Sequence, residues 1–149
     1  MRVVVQRVSR AEVRADGEVL GAIGAGAAVL VGIGVRDTPE MVDRIADKLA
    51  SLRYFEDAEG RTNLAIDEVS GSYLVVSQFT LLADLGRGRR PGFTDAAPPE
   101  VAEPLVARFA ERLRASGRTV ATGRFGAEME LEVVNDGPFT LVLDAGLEG

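Results

Sequence analysis

Two apolar segments rich in β-branched residues, at positions 27–35 and 72–82, most constrain how this chain can fold. Each is short and bounded by polar residues or glycine, which is typical of a strand that is buried on both faces. Two other stretches, 39–52 and 99–115, carry apolar residues at helical spacing and predict amphipathic helices. The chain therefore combines buried strands with two helices that should pack on a sheet.

Hairpin signals account for most of the remaining chain. The valine-rich residues 2–8 predict a first strand, and Asp16-Gly17 is a dipeptide typical of a tight turn between strands. We therefore expect a hairpin formed by residues 11–15 and 18–23. Shorter strands and one turn are expected near the end of the chain, the strands at 119–122, 129–134 and 139–143 and the turn at 135–138.

The order of these elements predicts an α+β fold with a mixed, curved or barrel-like β-sheet on which the two helices pack. The first helix should have Thr38 as its N-cap and Pro39 in its first turn. The second helix should end at Gly117 and present an apolar face made of Val101, Leu105, Phe109 and Leu113. All 149 residues fit one domain, in which residues 145–149 form a short tail.

The chain has no cysteine and no histidine. That composition excludes disulfides, cysteine nucleophiles, triads that use histidine, and zinc sites built on either residue type. Carboxylates are numerous, but Glu128, Glu130 and Glu132 alternate along a predicted strand and should line one solvated face. We therefore expect neither a metal nor another cofactor.

No segment of this sequence is typical of membrane insertion or secretion. The apolar run after Arg2 has three residues, too few for a secretory signal. The longest apolar stretch, 25–35, contains three glycines and is too short to span a bilayer. We therefore expect a soluble, cytoplasmic protein that does not bind a membrane.

Positive charge is concentrated in one irregular segment, although the net charge of the chain is −6. Residues 84–124 carry eight basic and five acidic side chains, and the densest cluster is Arg87, Arg89 and Arg90. These arginines lie in a loop at 83–99 whose length is typical of a functional segment, and arginine is well suited to bind phosphate. A general preference of this chain for arginine over lysine explains the cluster equally well.

Three segments are candidates for binding or chemistry. Residues 77–80 end a buried strand, where backbone N–H groups stop pairing and can meet a ligand, although an ordinary polar strand end explains them as well. Gly137-Pro138 predicts a turn, and a cis bond there would aim two carbonyl oxygens in nearly the same direction. Phe125 and Met129 either form a pocket wall for a flat base or belong to the core.

Together these segments resemble the D-aminoacyl-tRNA deacylase family over residues 1–144. The strongest likeness is Ser77-Gln78-Phe79-Thr80-Leu81 followed by Asn135-x-Gly137-Pro138-x-Thr140. Three more segments match the family pattern, namely Val5-Gln6-Arg7-Val8, Phe55-x-Asp57-x-x-Gly60-x-x-Asn63-Leu64 and Thr122-Gly123-x-Phe125. Two positions depart from it, Phe139 where valine is usual and Gly92 where serine is usual, and position 92 is given no role.

The resemblance implies a homodimer that hydrolyses the ester between a D-amino acid, or a misplaced glycine, and the 3′-terminal adenosine of tRNA. Such an enzyme proofreads translation by rejecting L-aminoacyl groups. The resemblance also implies that a cis Gly137-Pro138 enters the partner subunit's active site, and that the 2′-hydroxyl of the tRNA assists without a protein nucleophile. An activated ester needs little acid–base help, so positioning and oxyanion stabilisation suffice.

The motifs assign roles residue by residue. Catalytic roles fall on Ser77, Gln78, Phe79 and Thr80. Substrate binding and rejection of the L-enantiomer fall on Asn135, Gly137, Pro138, Thr140, Phe125 and Met129. Contacts with tRNA phosphates are expected from Arg87, Arg89 and Arg90. Two alternatives stay open, a non-catalytic module that binds RNA ends and an esterase whose nucleophile is Thr80.

Overall fold

The structure is a computed structural model in which residues 1–145 are described. Along the chain the elements are β1 (Arg2–Ala15), β2 (Glu18–Ile23), β3 (Gly26–Gly32), α1 (Pro39–Ser51), β4 (Phe55–Glu56), β5 (Thr62–Leu64), β6 (Ser72–Ser77), α2 (Pro99–Ala115), β7 (Val120–Thr122) and β8 (Glu130–Asp144), with 3-10 turns at Ile66–Val69 and Phe79–Leu82. Residues 146–149 of the expected tail lie outside the described residues. Ala145 is buried, and its N–H donates to the carbonyl oxygen of Met1 at 3.0 Å.

Six strands of the described chain form one mixed sheet with the order β2-β1-β3-β6-β7, and β8 also pairs with β1. Strands β3, β6 and β7 run parallel to one another, whereas β1 is antiparallel to β2, β3 and β8. Because β2 returns to contact β6 and β7, the sheet curves into a nearly closed barrel. The predicted α+β fold with a mixed, barrel-like sheet and two packed helices is confirmed.

The strands divide the core into two layers, because successive side chains of a strand point to opposite faces. In β6, Val75 belongs to the layer beneath the helices, whereas Leu74 and Val76 belong to the barrel interior. The layer beneath the helices receives the buried faces of both, which include Val42, Ile45, Leu49, Leu105, Phe109 and Leu113. The barrel interior is filled by Val8, Ala11, Val13 and Ile23 among others.

Both helices form where the sequence predicts. The Thr38 hydroxyl accepts a hydrogen bond from the Met41 N–H at 3.3 Å, as expected of an N-cap. The buried face of α2 differs from the prediction at Val101, which is 42% exposed. The buried stripe runs instead through Ala102 and Leu105, so it is displaced by one residue at the start of the helix.

Two ion pairs join the exposed sides of the helices. Arg108 donates two hydrogen bonds to Asp43, and Arg112 donates two to Asp47, all at 2.8 Å. These hydrogen bonds from the guanidinium groups lower the pKa of Asp43 and the pKa of Asp47 below the usual aspartate value.

The second buried strand is shorter than predicted, because β6 ends at Ser77 rather than at residue 82. The Gln78 N–H donates to the Val31 carbonyl oxygen at 2.8 Å, and the chain then enters the 3-10 turn. This turn packs so closely on β3 that a Cβ atom at Gly32 would lie 2.9 Å from the Gln78 carbonyl oxygen. Leu81 and Leu82 therefore pack on β3 instead of continuing the strand.

The structure joins two pairs of predicted strands. Residues 2–8 and 11–15 form the single strand β1, and residues 129–134 and 139–143 fall almost entirely within β8. These long strands pair with each other from one end to the other, which local sequence signals do not reveal. Their register shifts near Arg7, opposite the predicted turn, so that turn is an irregular stretch inside β8.

Candidate active site

A cleft of about 1040 Å³ opens at the carboxyl ends of the parallel strands β3 and β6. One wall is the beginning of α2, with Pro99, Ala102 and Val106. The opposite wall consists of residues 125–131 and the tip of the β1–β2 hairpin. A concave cavity of this size with polar groups at its edge is typical of a site for an organic ligand.

Three of the four predicted catalytic residues, Ser77, Gln78 and Phe79, line this cleft. Within residues 1–145, the N–H groups of Phe79 and Thr80 have no hydrogen-bond acceptor, because the 3-10 turn makes its first internal bond from Leu81 to the Gln78 carbonyl oxygen. Two neighbouring free N–H groups beside a cleft can stabilise an oxyanion.

Thr80 lies beside the cleft and does not line it. Its hydroxyl oxygen accepts a hydrogen bond from the side-chain amide of Gln78. An amide does not take up a proton, so this contact does not activate the Thr80 hydroxyl as a nucleophile. The contact instead fixes the two side chains relative to each other at the end of β6.

Phe125 and Met129 stand in the wall opposite α2. The Arg124 N–H donates to the Met129 sulfur at 3.5 Å, and the Phe125 ring also packs against the core layer beneath the helices. A held ring and a held thioether form an apolar surface against which a flat base can lie. The structure thus brings both predicted residues into the same cleft as Ser77 and Phe79.

The tip of the β1–β2 hairpin is a part of the cleft that the sequence analysis missed. Arg14, Asp16 and Gly17 line the cleft. Glu128 and Glu130 line it too, and both are exposed, as expected of a solvated face. The dipeptide Asp16-Gly17 predicts a turn, but it does not indicate what the turn faces. The curvature of the barrel decides that, because it brings the hairpin tip to the ends of β3 and β6.

The Gly137-Pro138 segment lies outside this cleft. The peptide bond is cis, as the resemblance implies, and both residues are exposed. Gly137 has a φ of 133°, which favours glycine because a side chain is strained there. In the sheet, β1 and β3 lie between β8 and β6, so Gly137 and Ser77 of one chain are on separate strands far apart in the sheet.

A buried arginine holds this segment from beneath. Arg7 is 5% exposed and donates from Nε to the Asp136 carbonyl oxygen at 3.1 Å and from Nη1 to the Tyr54 carbonyl oxygen at 2.9 Å. Its guanidinium also lies 4.7 Å from the centre of the Phe139 ring. The unusual phenylalanine at 139 therefore adds a cation–π contact that valine does not offer.

Asn135 and Thr140 support the same segment. The Asn135 side-chain amide donates to the carbonyl oxygens of Arg7 and Phe139 at 2.8 and 2.9 Å. Its Oδ1 accepts a hydrogen bond from the Thr140 hydroxyl at 3.4 Å. These contacts close the irregular stretch of β8 at its two ends and fix the position of the carbonyl groups between them.

The basic loop at 83–99 is anchored at both ends. Asp84 and Gly92 exchange two backbone hydrogen bonds of 2.7 and 2.9 Å, and Ala97 donates to the Ile33 carbonyl oxygen at 2.9 Å. The arginines lie in the exposed part between Asp84 and Gly92, and the Arg87 side chain is 94% exposed. Within the described chain, no carboxylate forms an ion pair with Arg89 or Arg90.

The groups with perturbed acidity lie away from the cleft. Burial raises the pKa of Tyr54 and that of Tyr73 above the usual tyrosine value, and neither lines the cleft. In residues 1–145, no group of three acidic side chains is arranged to hold a metal ion. Neither helix of this part of the chain is long and apolar enough to cross a membrane.

Comparison of the sequence with known proteins assigns this chain to one family. A sequence profile described as D-Tyr-tRNA(Tyr) deacylase matches residues 4–144. The chain belongs to this deacylase family. It is similar to the D-aminoacyl-tRNA deacylases of Anaeromyxobacter dehalogenans and Symbiobacterium thermophilum, each 57% identical over 97% of this chain and covering 97% and 96% of the relative.

Solved structures show the same fold. A protein named c-Myc DNA Unwinding Element Binding Protein is 40% identical, with a TM-score of 0.91 over 97% of this chain and 98% of the other. A probable eukaryotic D-amino acid tRNA deacylase is 20% identical, with a TM-score of 0.81 over 95% of this chain and 97% of the other. The comparisons confirm the prediction from sequence that the chain is a deacylase-family hydrolase.

Proposed function

We propose that this chain hydrolyses the ester of D-aminoacyl-tRNA, and of mischarged glycyl-tRNA, in the cleft described above. The observation that carries the proposal is the pair of free N–H groups of Phe79 and Thr80 at the cleft edge. The carbonyl oxygen of an ester becomes negative when water adds to its carbon, and two N–H donors stabilise that charge without a histidine.

The reaction needs few protein groups. Water adds to the ester carbonyl carbon and passes a proton to the neighbouring 2′-oxygen of the tRNA, while the 2′-hydroxyl gives its own proton to the ribose 3′-oxygen as the ester bond to that oxygen breaks. The Ser77 hydroxyl and the Gln78 amide orient the ester, while Phe125 and Met129 hold the terminal adenine. Positioning of this kind accelerates hydrolysis of an already activated ester.

A homodimer with its active site at the subunit interface accounts for the Gly137-Pro138 segment. The segment is exposed, firmly held by Arg7, and separate from the cleft of its own chain. In a dimer, the carbonyl oxygens of Gly137 and Pro138 face the α-carbon of the substrate bound to the other subunit. An L side chain then meets main-chain atoms, whereas a hydrogen atom does not, so the L-enantiomer is rejected.

The exposed arginines and the substrate class complete the proposal. Arg87, Arg89 and Arg90 bind phosphates of the tRNA, and such contacts depend on salt but little on nucleotide sequence. An enzyme that corrects many different tRNAs benefits from binding of this kind. Because aminoacyl-tRNA is used in the cytoplasm, we also propose that the enzyme acts there.

A paired deacylation assay tests the proposal. Purified protein is incubated with D-Tyr-tRNA and, in parallel, with L-Tyr-tRNA, in the presence of a chelator. We expect release of D-tyrosine while the L-ester survives, and the same rate with and without the chelator. Equal hydrolysis of the two esters would contradict the main-chain rejection of the L-enantiomer.

A non-catalytic module that binds nucleic-acid ends is the second candidate. It is favoured by the exposed basic loop and by the name of the 40%-identical solved structure, which describes a DNA-binding protein. The same assay separates the two candidates. Intact D- and L-esters after incubation, together with measurable binding of uncharged tRNA, would support the module and contradict the deacylase.

A further inference from the structure

We infer that Phe79 and Phe93 form a stacking site for the penultimate base of the tRNA 3′ end, an inference that rests on the proposed function. The two rings meet edge to face, with centroids 5.1 Å apart and planes inclined at 68°. We call them the aromatic pair. Phe93 belongs to the basic loop, so the pair joins that loop directly to the cleft edge.

The aromatic pair lies at the mouth of the cleft. Both rings line the cleft, yet Phe79 is 56% and Phe93 is 40% exposed. Phe125, on the opposite wall, is more deeply placed and packs against the core. Large aromatic rings exposed beside a cavity are typical of a binding surface.

The order of groups along the cleft indicates which part of the RNA the aromatic pair contacts. In the proposed complex, the ester lies at the free N–H groups and the terminal adenine lies against Phe125 and Met129. The strand that leaves the cleft must then pass the mouth, where its next base meets the aromatic pair. Arg89 and Arg90 precede Phe93 in the same loop, are exposed, and form no ion pair with a carboxylate of the described residues, so they can bind the phosphates.

Aromatic rings beside arginines are a common way to bind single-stranded RNA. Each base offers a flat face that stacks on a ring, while the cations bind the backbone. The Phe93 ring is held ready for such a contact, because the Phe93 carbonyl oxygen accepts a hydrogen bond from Ala96 at 3.2 Å and the preceding Gly92 pairs with Asp84. Little conformational freedom is therefore lost when a base stacks there.

Steady-state kinetics with D-Tyr-tRNA test the stacking site. We expect Phe93→Ala to raise KM about 5–10-fold while kcat changes little, because stacking of a base binds substrate without touching the ester. Phe93→Leu should behave like the alanine variant, and Phe93→Trp should keep a KM close to that of the unaltered protein. Leu85→Ala is the matched control, because Leu85 is 73% exposed in the same loop and does not line the cleft.

A change in the RNA provides the second arm. A D-tyrosyl minihelix whose penultimate nucleotide lacks its base should show a raised KM with the unaltered protein. For Phe93→Ala, the abasic substrate should not raise KM above the value for the intact substrate, since the ring that stacks on the missing base is already removed. Equal abasic penalties in both proteins would overturn the inference, as would a Phe93→Trp variant as impaired as Phe93→Ala.

Failure of the inference and failure of the proposed function give different results. If the unaltered protein hydrolyses D-Tyr-tRNA but Phe93→Ala keeps its KM, the inference fails and the deacylase stands. If the unaltered protein hydrolyses neither ester, the deacylase fails, and affinity for the uncharged intact and abasic minihelices decides the stacking site. A Phe93→Ala variant that alters only the oligomeric state would assign the pair to a subunit contact and overturn the inference.

Discussion

The cleft edge at residues 77–80 presents main-chain N–H groups beside a cavity. The Gly137-Pro138 segment presents main-chain carbonyl oxygens on an exposed part of the surface. At the cleft edge, Phe79 lines a cavity and Thr80 lies beside it, and no described neighbour accepts a hydrogen bond from the N–H group of either residue. In the Gly137-Pro138 segment, exposed main chain is backed by the buried guanidinium of Arg7, and neither residue lines the cleft of its own chain.

The difference shows that the cleft can bind a ligand, whereas the Gly137-Pro138 segment offers rigid main chain outside that cleft. The cleft offers a place to bind and donors for a developing negative charge, but its walls consist largely of side chains, such as those of Val106, Phe125 and Met129. The segment offers main-chain atoms that cannot move aside, because Arg7 and Asn135 hold them. The proposed function needs the two regions together, and the proposed homodimer would combine them.

Removing the buried guanidinium tests the segment and should have the largest effect. Arg7→Ala leaves the carbonyl oxygens of Tyr54 and Asp136 without their donor and opens space beside Phe139. We expect the free energy of unfolding to fall by about 3 kcal/mol, measured by urea denaturation. The rate on L-Tyr-tRNA should rise relative to that on D-Tyr-tRNA, because the segment loses its support.

Arg10→Ala is the matched control for Arg7→Ala. Arg10 lies three residues further along β1, but it is exposed and pairs with Glu132 at the surface. Its replacement should change stability by less than about 1 kcal/mol and leave the D/L ratio unaltered. If the two variants had the same D/L ratio as the unaltered protein, Arg7 would support the fold but not the selectivity.

Replacement of Thr80 tests the cleft edge. The hydroxyl binds Gln78 and no described base lies beside it, so we expect Thr80→Ala to lower the single-turnover rate constant by about tenfold through loss of positioning. Thr80→Ser keeps the hydroxyl and should keep most of the activity. The measurement is single-turnover deacylation of D-Tyr-tRNA, combined with mass spectrometry of the enzyme.

A nucleophilic Thr80 gives a different outcome in both measurements. Activity would be abolished in Thr80→Ala, since losing a nucleophile commonly costs more than about a thousandfold in rate. An aminoacyl adduct would also accumulate on the unaltered enzyme. Either observation would show that the protein supplies a nucleophile, and would contradict hydrolysis assisted only by the 2′-hydroxyl of the RNA.

The sequence predicts those parts of the fold that depend on neighbouring residues. The N-cap at Thr38 and the hairpin at Asp16-Gly17 are local, and both occur as predicted. The continuity of β8 and the end of β6 at Ser77 depend on partners far along the chain, in β1 and at Gly32. Apolar character therefore predicted β6 too long, and the turn signal at 135–138 predicted two strands where β8 is one.

The candidate site follows the same rule. Ser77, Gln78 and Phe79 were found through their motif, and the structure places them in the cleft. Arg7 matched a motif too, but its function as a support was not predictable, because its partners Tyr54 and Asp136 are 47 and 129 positions away. Arg14 was missed for a similar reason, since only the curvature of the sheet brings it to the cleft.

Charge reversal in the basic loop should change substrate binding and leave both regions intact. The double variant Arg89→Glu and Arg90→Glu should raise KM for D-Tyr-tRNA several-fold and flatten its dependence on salt by roughly one counterion per lost contact. The D/L ratio should stay the same. Arg61→Glu is the control, because Arg61 is similarly exposed in a turn that does not line the cleft. An unchanged salt dependence in the double variant would remove the loop from tRNA binding.

The smallest effect is expected at the helix pair, which belongs to neither region. Hydrogen bonds from Arg108 and Arg112 lower the pKa of Asp43 and the pKa of Asp47 below 3.8. A carboxylate whose pKa is lowered by folding stabilises the protein above its pKa in the unfolded chain, and that contribution disappears as the pH falls through the lowered value. The urea midpoint of the unaltered protein should therefore exceed that of the Asp43→Asn and Asp47→Asn double variant at pH 7, and the two midpoints should converge as the pH falls below the lowered pKa values. Because both ion pairs are exposed, the difference should be small, and the D/L ratio of the double variant at pH 7 should not change. A difference in midpoint that is independent of pH would show that the ion pairs are not its cause, and a changed D/L ratio would connect the helices to the site.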